Sequence, residues 1–273
     1  MLRSVHVAHM NCRRLVPAVL AVAVLFLFAT GAGASGRPSA AELAAITERG
    51  QLLAGYDSAT WHATDAVLAT DPKEGTSNRY IAHKTETGWV VDFGKLSATG
   101  DKFLVVSEAV QTGGEYTVRS FDAAREDTGW NLAAAKGIET AMRDFHAADR
   151  PYNVAVLPAR GGSLYVYLYP AQVKAGFYPL GADVRYRISV DGTRVMEKRQ
   201  MHKSIIEYGP VSSSEKEAAG YHTHVLSDVP EDSDVFLVLT RQPRVPEMVV
   251  TQHYMYTIGT DGKITVEDRP PAK

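Results

Sequence analysis

The sequence predicts an α+β fold in a single domain, in which helices pack on a mixed or antiparallel sheet. Three observations support this prediction. Many short segments are rich in aromatic and β-branched residues and are separated by polar breaks that contain glycine. Only two helical stretches are evident, and they do not alternate with strands as a parallel βαβ fold requires. The chain of 273 residues contains no internal repeat and no long linker.

The first 34 residues have the pattern of a secretory signal peptide. Arg13 and Arg14 precede an apolar run over residues 15–30, and Ala32-Gly33-Ala34 gives a small-x-small cleavage site before Ser35. The run is shorter than the roughly 20 residues that span a bilayer. We therefore expect cleavage after residue 34, export to the periplasm or the exterior, and no stable membrane span in the mature protein.

Composition limits the partners of the mature chain. The chain carries a net charge of −2, and removing the three arginines and no acid of residues 1–34 leaves −5. A mildly acidic protein without a basic stripe is not expected to bind nucleic acid. The single cysteine, Cys12, lies in the removed segment, so an apolar core rather than disulfides must hold the fold together.

The N-terminal portion, residues 35–149, is expected to begin with a helix. Ser39 and Glu42 form a capping-box pattern, apolar residues follow at helical spacing to Leu53, and helical character resumes over residues 61–68. A polar loop over residues 71–78 then leads into an expected antiparallel meander, whose strands are residues 79–83, 89–93, 102–108 and 116–121.

A second helix is predicted over residues 129–146, with Asp127-Thr128 as its cap. The helix is expected to bury one apolar face, because its large apolar residues recur every three or four positions. The members of this face are Leu132, Ala135, Ile138, Met142 and Phe145.

The C-terminal portion, residues 150–268, is expected to be rich in strands, and residues 269–273 are expected to be a disordered tail. Asp191-Gly192 and Asp261-Gly262 each separate two alternating segments and predict two tight hairpins. Tyr165, Tyr167 and Tyr169 alternate along one strand, so they share one face. Such a row either packs against a helix or forms a binding surface.

The chemistry of the chain concentrates in one stretch after Gly220. His222 and His224 are two residues apart on an extended segment and therefore point to the same face. Asp234 follows about ten residues later, where a turn can bring its carboxylate back to them. Together with the two imidazoles, this carboxylate can complete a three-ligand metal site, and zinc at a catalytic site of this kind keeps one further position for water. The alternative is that the two histidines merely belong to a sheet.

Other residues nearby are candidates for supporting roles. Asp228, Glu231 and Asp232 can either bind the metal or accept hydrogen bonds from the histidines. If residues 203–208 form a hairpin with residues 220–225, Ser204 lies opposite His222 and His202 lies opposite His224.

The stretch over residues 218–267 resembles the JAB/MPN (JAMM) metalloprotease motif. His222-Thr223-His224 corresponds to its His-x-His, and Pro230-Glu231-Asp232-Ser233-Asp234 to its Ser-x-x-Asp element. The resemblance implies that His222, His224 and Asp234 are the zinc ligands, with water in the fourth position, and that an upstream glutamate is the general acid–base. The motif is degenerate: Val225 replaces a proline, Glu231 stands at the serine position, and Glu197 and Glu207 lie too close in sequence to be that glutamate.

Two functions follow from these patterns, and whether the protein is an enzyme stays open. The first is a non-catalytic binding or interaction protein of the cell envelope or exterior, whose aromatic strands contact a protein, a peptide or an envelope polymer. The alternative is a divergent JAB-like zinc-dependent hydrolase of peptide or amide bonds. An unrelated hydrolase is less favoured, because no Gly-x-Ser-x-Gly and no cysteine nucleophile occurs in the mature chain.

Overall fold

A computed structural model of the chain describes residues 36–146, 149–210 and 217–270. The described residues confirm the single-domain α+β fold, with three α-helices and mostly antiparallel strands. Within the described residues the strands form three four-stranded sheets and one two-stranded sheet, where the sequence predicts one mixed or antiparallel sheet. The residues from Pro38 onwards belong to one compact unit. The predicted signal peptide lies outside the described residues.

The first helix, α1 (Ala40–Leu68), is continuous and is longer than the sequence pattern predicts. Ser39 caps it as expected, since its hydroxyl accepts a hydrogen bond from the Glu42 amide at 3.1 Å. Gly50 allows α1 to lie directly against a later helix, because a Cβ at this position would be 2.4 Å from Val235 Cβ. Gly50 therefore permits close packing of the two helices and does not interrupt α1.

The predicted meander is confirmed, and its four strands pair in sequence order. They are β1 (Arg79–Lys84), β2 (Trp89–Leu96), β3 (Phe103–Thr112) and β4 (Glu115–Asp127). Alternate residues of β3, including Val105 and Ala109, are fully buried, as expected for a strand with one face on the core.

The second helix, α2 (Trp130–Asp144), forms where predicted. The Asp127 carboxylate accepts hydrogen bonds from the amides of residues 129 and 131 at 2.9 and 3.2 Å. The predicted apolar face is partly wrong, because Met142 is 51% exposed. The buried face consists of small residues and Ile138, and is centred on Ala134, Ala135 and Ala141. These short side chains allow α2 to approach the next sheet closely.

The next five strands are β5 (Tyr152–Pro158), β6 (Leu164–Pro170), β7 (Tyr178–Leu180), β8 (Val184–Ile188) and β9 (Val195–Gln200). Four of them form the second sheet, in the order β5-β6-β8-β9. Asp191-Gly192 turns between β8 and β9, as predicted. The tyrosine row of β6 does not form an exposed surface, because Tyr167 and Tyr169 are buried and donate hydrogen bonds to Asp232 and Asp57 at 2.8 Å each. The short strand β7 belongs to another sheet.

The C-terminal elements form the remaining sheets. They are β10 (Ile206–Tyr208), β11 (Gly220–Thr223), α3 (Asp232–Thr240), β12 (Glu247–Val250), β13 (Tyr254–Ile258) and β14 (Ile264–Asp268). The expected hairpin of residues 203–208 with 220–225 is wrong. Instead β10 pairs with β7, and β11 pairs in parallel with β12 through the crossover helix α3. The Asp261-Gly262 hairpin joins β13 and β14 as predicted.

The end of the described chain is held to the fold at Arg269, contrary to the expectation of a disordered tail from that residue. Its amide donates to His253 and its guanidinium to the Thr251 carbonyl, both at 2.9 Å. Within the described ranges, no helix is both long enough and apolar enough to cross a membrane.

Candidate metal centre

Three histidines and one aspartate meet in the interior, and they come from three different pieces of the C-terminal half. His202 follows β9, His222 lies on β11, His224 comes directly after β11, and Asp234 lies in the first turn of α3. All four are buried, and their candidate ligand atoms lie within 4.8 Å of one another. The structure therefore brings together the three residues predicted to bind metal and adds His202.

The two neighbouring histidines share a face because β11 is extended. His222 is buried, whereas Tyr221 on the opposite face is 59% exposed. The His224 amide donates to the Val250 carbonyl at 2.8 Å, which continues the pairing with β12 beyond the end of β11. Backbone hydrogen bonds to β12 thus fix both imidazoles in position.

Asp234 is held by the start of α3. Its Oδ2 accepts the Glu231 amide at 2.7 Å, as half of a capping box. Glu231 is itself fixed by two hydrogen bonds from the Arg199 guanidinium, at 2.7 and 2.8 Å. One carboxylate oxygen of Asp234 therefore orients the residue, and the other faces the histidines.

Four of the distances between the converging atoms are close to the edge length of a tetrahedral zinc site. His224 Nε2 lies 2.9 Å from His202 Nε2 and 3.1 Å from His222 Nε2. Asp234 Oδ1 lies 3.0 Å from His202 Nε2 and 3.2 Å from His222 Nε2. Zinc bound tetrahedrally at about 2.0–2.1 Å would place its ligand atoms about 3.3 Å apart. The observed separations are within a few tenths of an ångström of that value.

Asp234 Oδ1 has no hydrogen-bond partner, although it is completely buried among these imidazoles. The nearby nitrogens are at suitable distances, but no hydrogen bond of acceptable geometry forms. An unpaired buried carboxylate oxygen is costly unless a cation satisfies it. A metal ion bound at this position would satisfy Asp234 Oδ1, so the arrangement of these residues suits a metal ion.

The opposite nitrogen of each imidazole is bound to an acceptor. Nδ1 of His202 lies 2.8 Å from Asp183 Oδ1, and Nδ1 of His222 lies 2.8 Å from Glu247 Oε1. The third Nδ1, of His224, lies 2.9 Å from the Val229 carbonyl. These acceptors favour a proton on each Nδ1. In the neutral imidazole, Nε2 therefore carries the lone pair, which points toward the centre of the cluster. Metal-binding histidines are commonly oriented in this way.

Electrostatics within the cluster also favour a cation. Burial lowers the pKa of His202, but Asp183 and Asp234 outweigh burial and hold this pKa well above its ordinary value. Burial lowers the pKa of His222 as well, while Asp234 and Glu247 raise it to about 9. Burial raises the pKa of Asp234, yet His202 and His224 more than reverse this effect and keep the pKa well below its ordinary range. Positive charge is therefore strongly stabilised between these groups.

A further layer of contacts fixes Glu247, the acceptor for His222. Tyr208 donates to the same carboxylate oxygen at 2.6 Å, and Arg241 pairs with the other oxygen at 3.3 Å. Burial and the adjacent Glu247 raise the pKa of Tyr208, so this hydroxyl remains a donor. The position of the acceptor is thus set by groups from β10 and from the chain that follows α3.

A cavity of about 170 Å³ borders the three histidines. Apolar side chains such as Leu180, Ile206 and Leu226 form much of its wall. No carboxylate among the described residues lines it. The cavity therefore offers access to the cluster but supplies no carboxylate as a general base.

The supporting residues expected from the sequence have other partners. Asp228 pairs with the exposed His253, and Asp232 pairs with Arg49 and Arg185 in a separate buried network. Glu231 binds Arg199 rather than a histidine. The carboxylates that do contact the histidines, Asp183 and Glu247, are distant in sequence, and no motif marks them.

The position expected for water is instead occupied by His202. The sequence pattern placed this residue opposite His224 but did not identify it as a ligand. The proximity is right although the hairpin that suggested it does not form. Glu197 and Glu207 are about half exposed, pair with Arg187 and Arg150, and do not contact the cluster.

Comparison with known proteins finds no matching family model, no matching curated protein and no matching solved structure.

Proposed function

We propose that this chain is an exported, non-catalytic binding protein whose fold is held together by one zinc ion at His202, His222, His224 and Asp234. The observation that carries the proposal is the set of four converging candidate ligands, in which Asp234 Oδ1 accepts no hydrogen bond and lies 3.0 and 3.2 Å from Nε2 of His202 and His222. Four protein ligands in a tetrahedron are typical of structural zinc, whereas catalytic zinc keeps one position for water.

Zinc is the metal that the donor atoms favour. Three imidazoles and one carboxylate suit zinc, copper or nickel better than magnesium or calcium, which prefer oxygen ligands. Of these metals, zinc most readily accepts a tetrahedral arrangement, and the 2.9–3.2 Å spacing of the ligand atoms matches it.

The ion would connect parts of the fold that are otherwise in different sheets. His202 follows the last strand of the second sheet, His222 belongs to the sheet of β11–β14, and Asp234 begins the helix between two strands of that sheet. A metal bound only by the folded state stabilises it by mass action, by about 2.7 kcal/mol at a free concentration 100 times the Kd.

Metal content of the purified mature protein tests this proposal. We expect one zinc per chain, lost in the double variant His222→Ala, His224→Ala and retained in His62→Ala. His62 is an exposed histidine of α1 that stacks on Trp61, so its variant controls for the loss of an imidazole. Absence of zinc from the wild-type protein, even after incubation with excess metal, would refute the proposal.

A second candidate function is hydrolysis of peptide or amide bonds by a JAB-like zinc site. The observation that favours it is the cavity that reaches the three histidines, because water could enter there if His202 left the metal. The test is a peptidase and amidase assay of zinc-loaded wild type and His202→Ala. Turnover that requires zinc would support this candidate, and its absence from both proteins would exclude hydrolysis of the substrates tested.

Export rests on the predicted signal peptide. We expect the protein expressed in a bacterial host to be found in the periplasm or the medium, with Ser35 as its N-terminal residue. Mass spectrometry of the secreted form measures the cleavage position. A full-length chain retained with the membrane would contradict export by cleavage.

A further inference from the structure

A second site is formed where α1, α3 and the β6–β7 region meet. These elements enclose a cleft of about 500 Å³, hereafter the α1–α3 cleft. This volume is in the range of small-molecule sites. Its residues are distinct from the candidate zinc ligands, so its role does not depend on the proposed metal.

One face of α1 supplies the polar group of the cleft. Asp57 and Trp61 are four residues apart on the helix and therefore lie on the same side. Asp57 is largely buried, and its Oδ1 accepts a hydrogen bond from Tyr169 at 2.8 Å. In the part of the chain that the structure describes, no cationic side chain forms an ion pair with this carboxylate.

Aromatic side chains line the same cleft as this carboxylate. Tyr169 and Phe236 pack edge to face with their centroids 5.1 Å apart, and Trp61 is 64% exposed at the mouth of the cleft. Aromatic faces attract organic cations, and the attraction grows when the cation is removed from water. A carboxylate among such rings is the chemistry that recognises an ammonium group.

We propose that the α1–α3 cleft binds a small organic cation whose alkylammonium group pairs with Asp57 and contacts the rings of Trp61 and Phe236. Burial raises the pKa of Asp57 above its ordinary value, while the Tyr169 hydroxyl lowers it, and a cation bound beside the carboxylate would lower this pKa further. The other charged residue of the lining, Arg244, is exposed at the rim, where water and salt screen its repulsion.

Calorimetric or NMR titration with choline and with butylammonium tests the proposal. The neutral analogues 3,3-dimethylbutan-1-ol and butanol have nearly the same shape without the charge. We expect saturable binding of at least one cation, and binding of its neutral analogue to be at least tenfold weaker. Equal binding of cation and analogue, or no saturable binding of either cation at millimolar concentration, would overturn the proposal.

Variants locate the binding. Asp57→Asn keeps an acceptor for the Tyr169 hydroxyl but removes the charge, and we expect at least tenfold weaker binding of the cation. Asp65→Asn makes the same change in charge at an exposed position of the same helix and should leave binding unchanged. Trp61→Ala, at an exposed position that tolerates truncation, should weaken binding severalfold. Unchanged affinity in both Asp57→Asn and Trp61→Ala would place the cation elsewhere and refute the assignment.

Discussion

Zinc binding should depend steeply on pH, because the metal and protons compete for the same imidazole nitrogens. The pKa of His222 in the metal-free fold is about 9, so at pH 7 zinc must displace a proton from this residue. One displaced proton makes the apparent affinity about tenfold greater for each pH unit. Because half of this residue is still protonated at pH 9, we expect an increase of about 50-fold between pH 7 and pH 9 from His222 alone. The rise should be steeper than that, because the pKa of His202 is also elevated.

The metal-free form should lose stability as the pH rises above about 6.5, whereas the zinc-bound form should not lose this contribution. The folded-state pKa of His222, about 9, exceeds its ordinary value of 6.5. Its contribution to the metal-free fold is therefore fully present below pH 6.5 and is lost as the pH rises through 9. At about 1.4 kcal/mol per pKa unit, this contribution is on the order of 3 kcal/mol. The zinc-bound form instead gains relative stability over the same interval.

Two measurements examine this reasoning. Competition with a chromophoric chelator of known pH dependence gives zinc affinity from pH 6.5 to 9, and urea denaturation with and without zinc gives the free energy of unfolding. His62→Ala should reproduce the wild-type curves. A zinc affinity that stops rising near pH 6.5–7, where an ordinary histidine has lost its proton, would refute the argument that Asp234 and Glu247 raise the pKa of His222.

Four further substitutions probe the packing and the centre. Glu247→Gln should weaken zinc binding about 10–100-fold in a chelator competition, because it disturbs the acceptor that orients a ligand imidazole. Gly50→Ala should destabilise the fold by about 1–3 kcal/mol in urea denaturation, since the new methyl would collide with Val235. Thermal unfolding should show little change for the exposed Met142→Lys, whereas the buried Ile138→Ala should cost about 2–5 kcal/mol. Similar losses at both positions would contradict the observed face of α2.

The four-ligand arrangement also separates the two proposed functions. A hydrolase needs an open metal position and a base near it, whereas here His202 fills the tetrahedron and the adjacent carboxylates are engaged. The α1–α3 cleft provides the alternative place for a ligand. Because α3 carries Asp234 and, two residues later, Phe236, the two sites share one element, although each has its own chemistry.

Local sequence determined much of the fold. The Ser39 cap, the meander of β1–β4 and both Asp-Gly hairpins form as predicted, because turn chemistry and the alternation of apolar residues act over a few positions. The proximity of His222 and His224 also follows from local geometry, since residues two apart on an extended chain share a face.

The arrangement of the sheets and the contacts of the candidate metal centre were determined only by tertiary structure. The division into four sheets, the parallel pairing of β11 with β12 and the exact face that α2 buries depend on packing between segments distant in sequence. The same is true of the site: Asp183 and Glu247 reach their histidines from 19 and 25 residues away. His202 joins the other three candidate ligands because the fold brings the segment after β9 close to His224 and to Asp234 at the start of α3. No local pattern encodes such contacts, since they depend on how whole elements pack against one another.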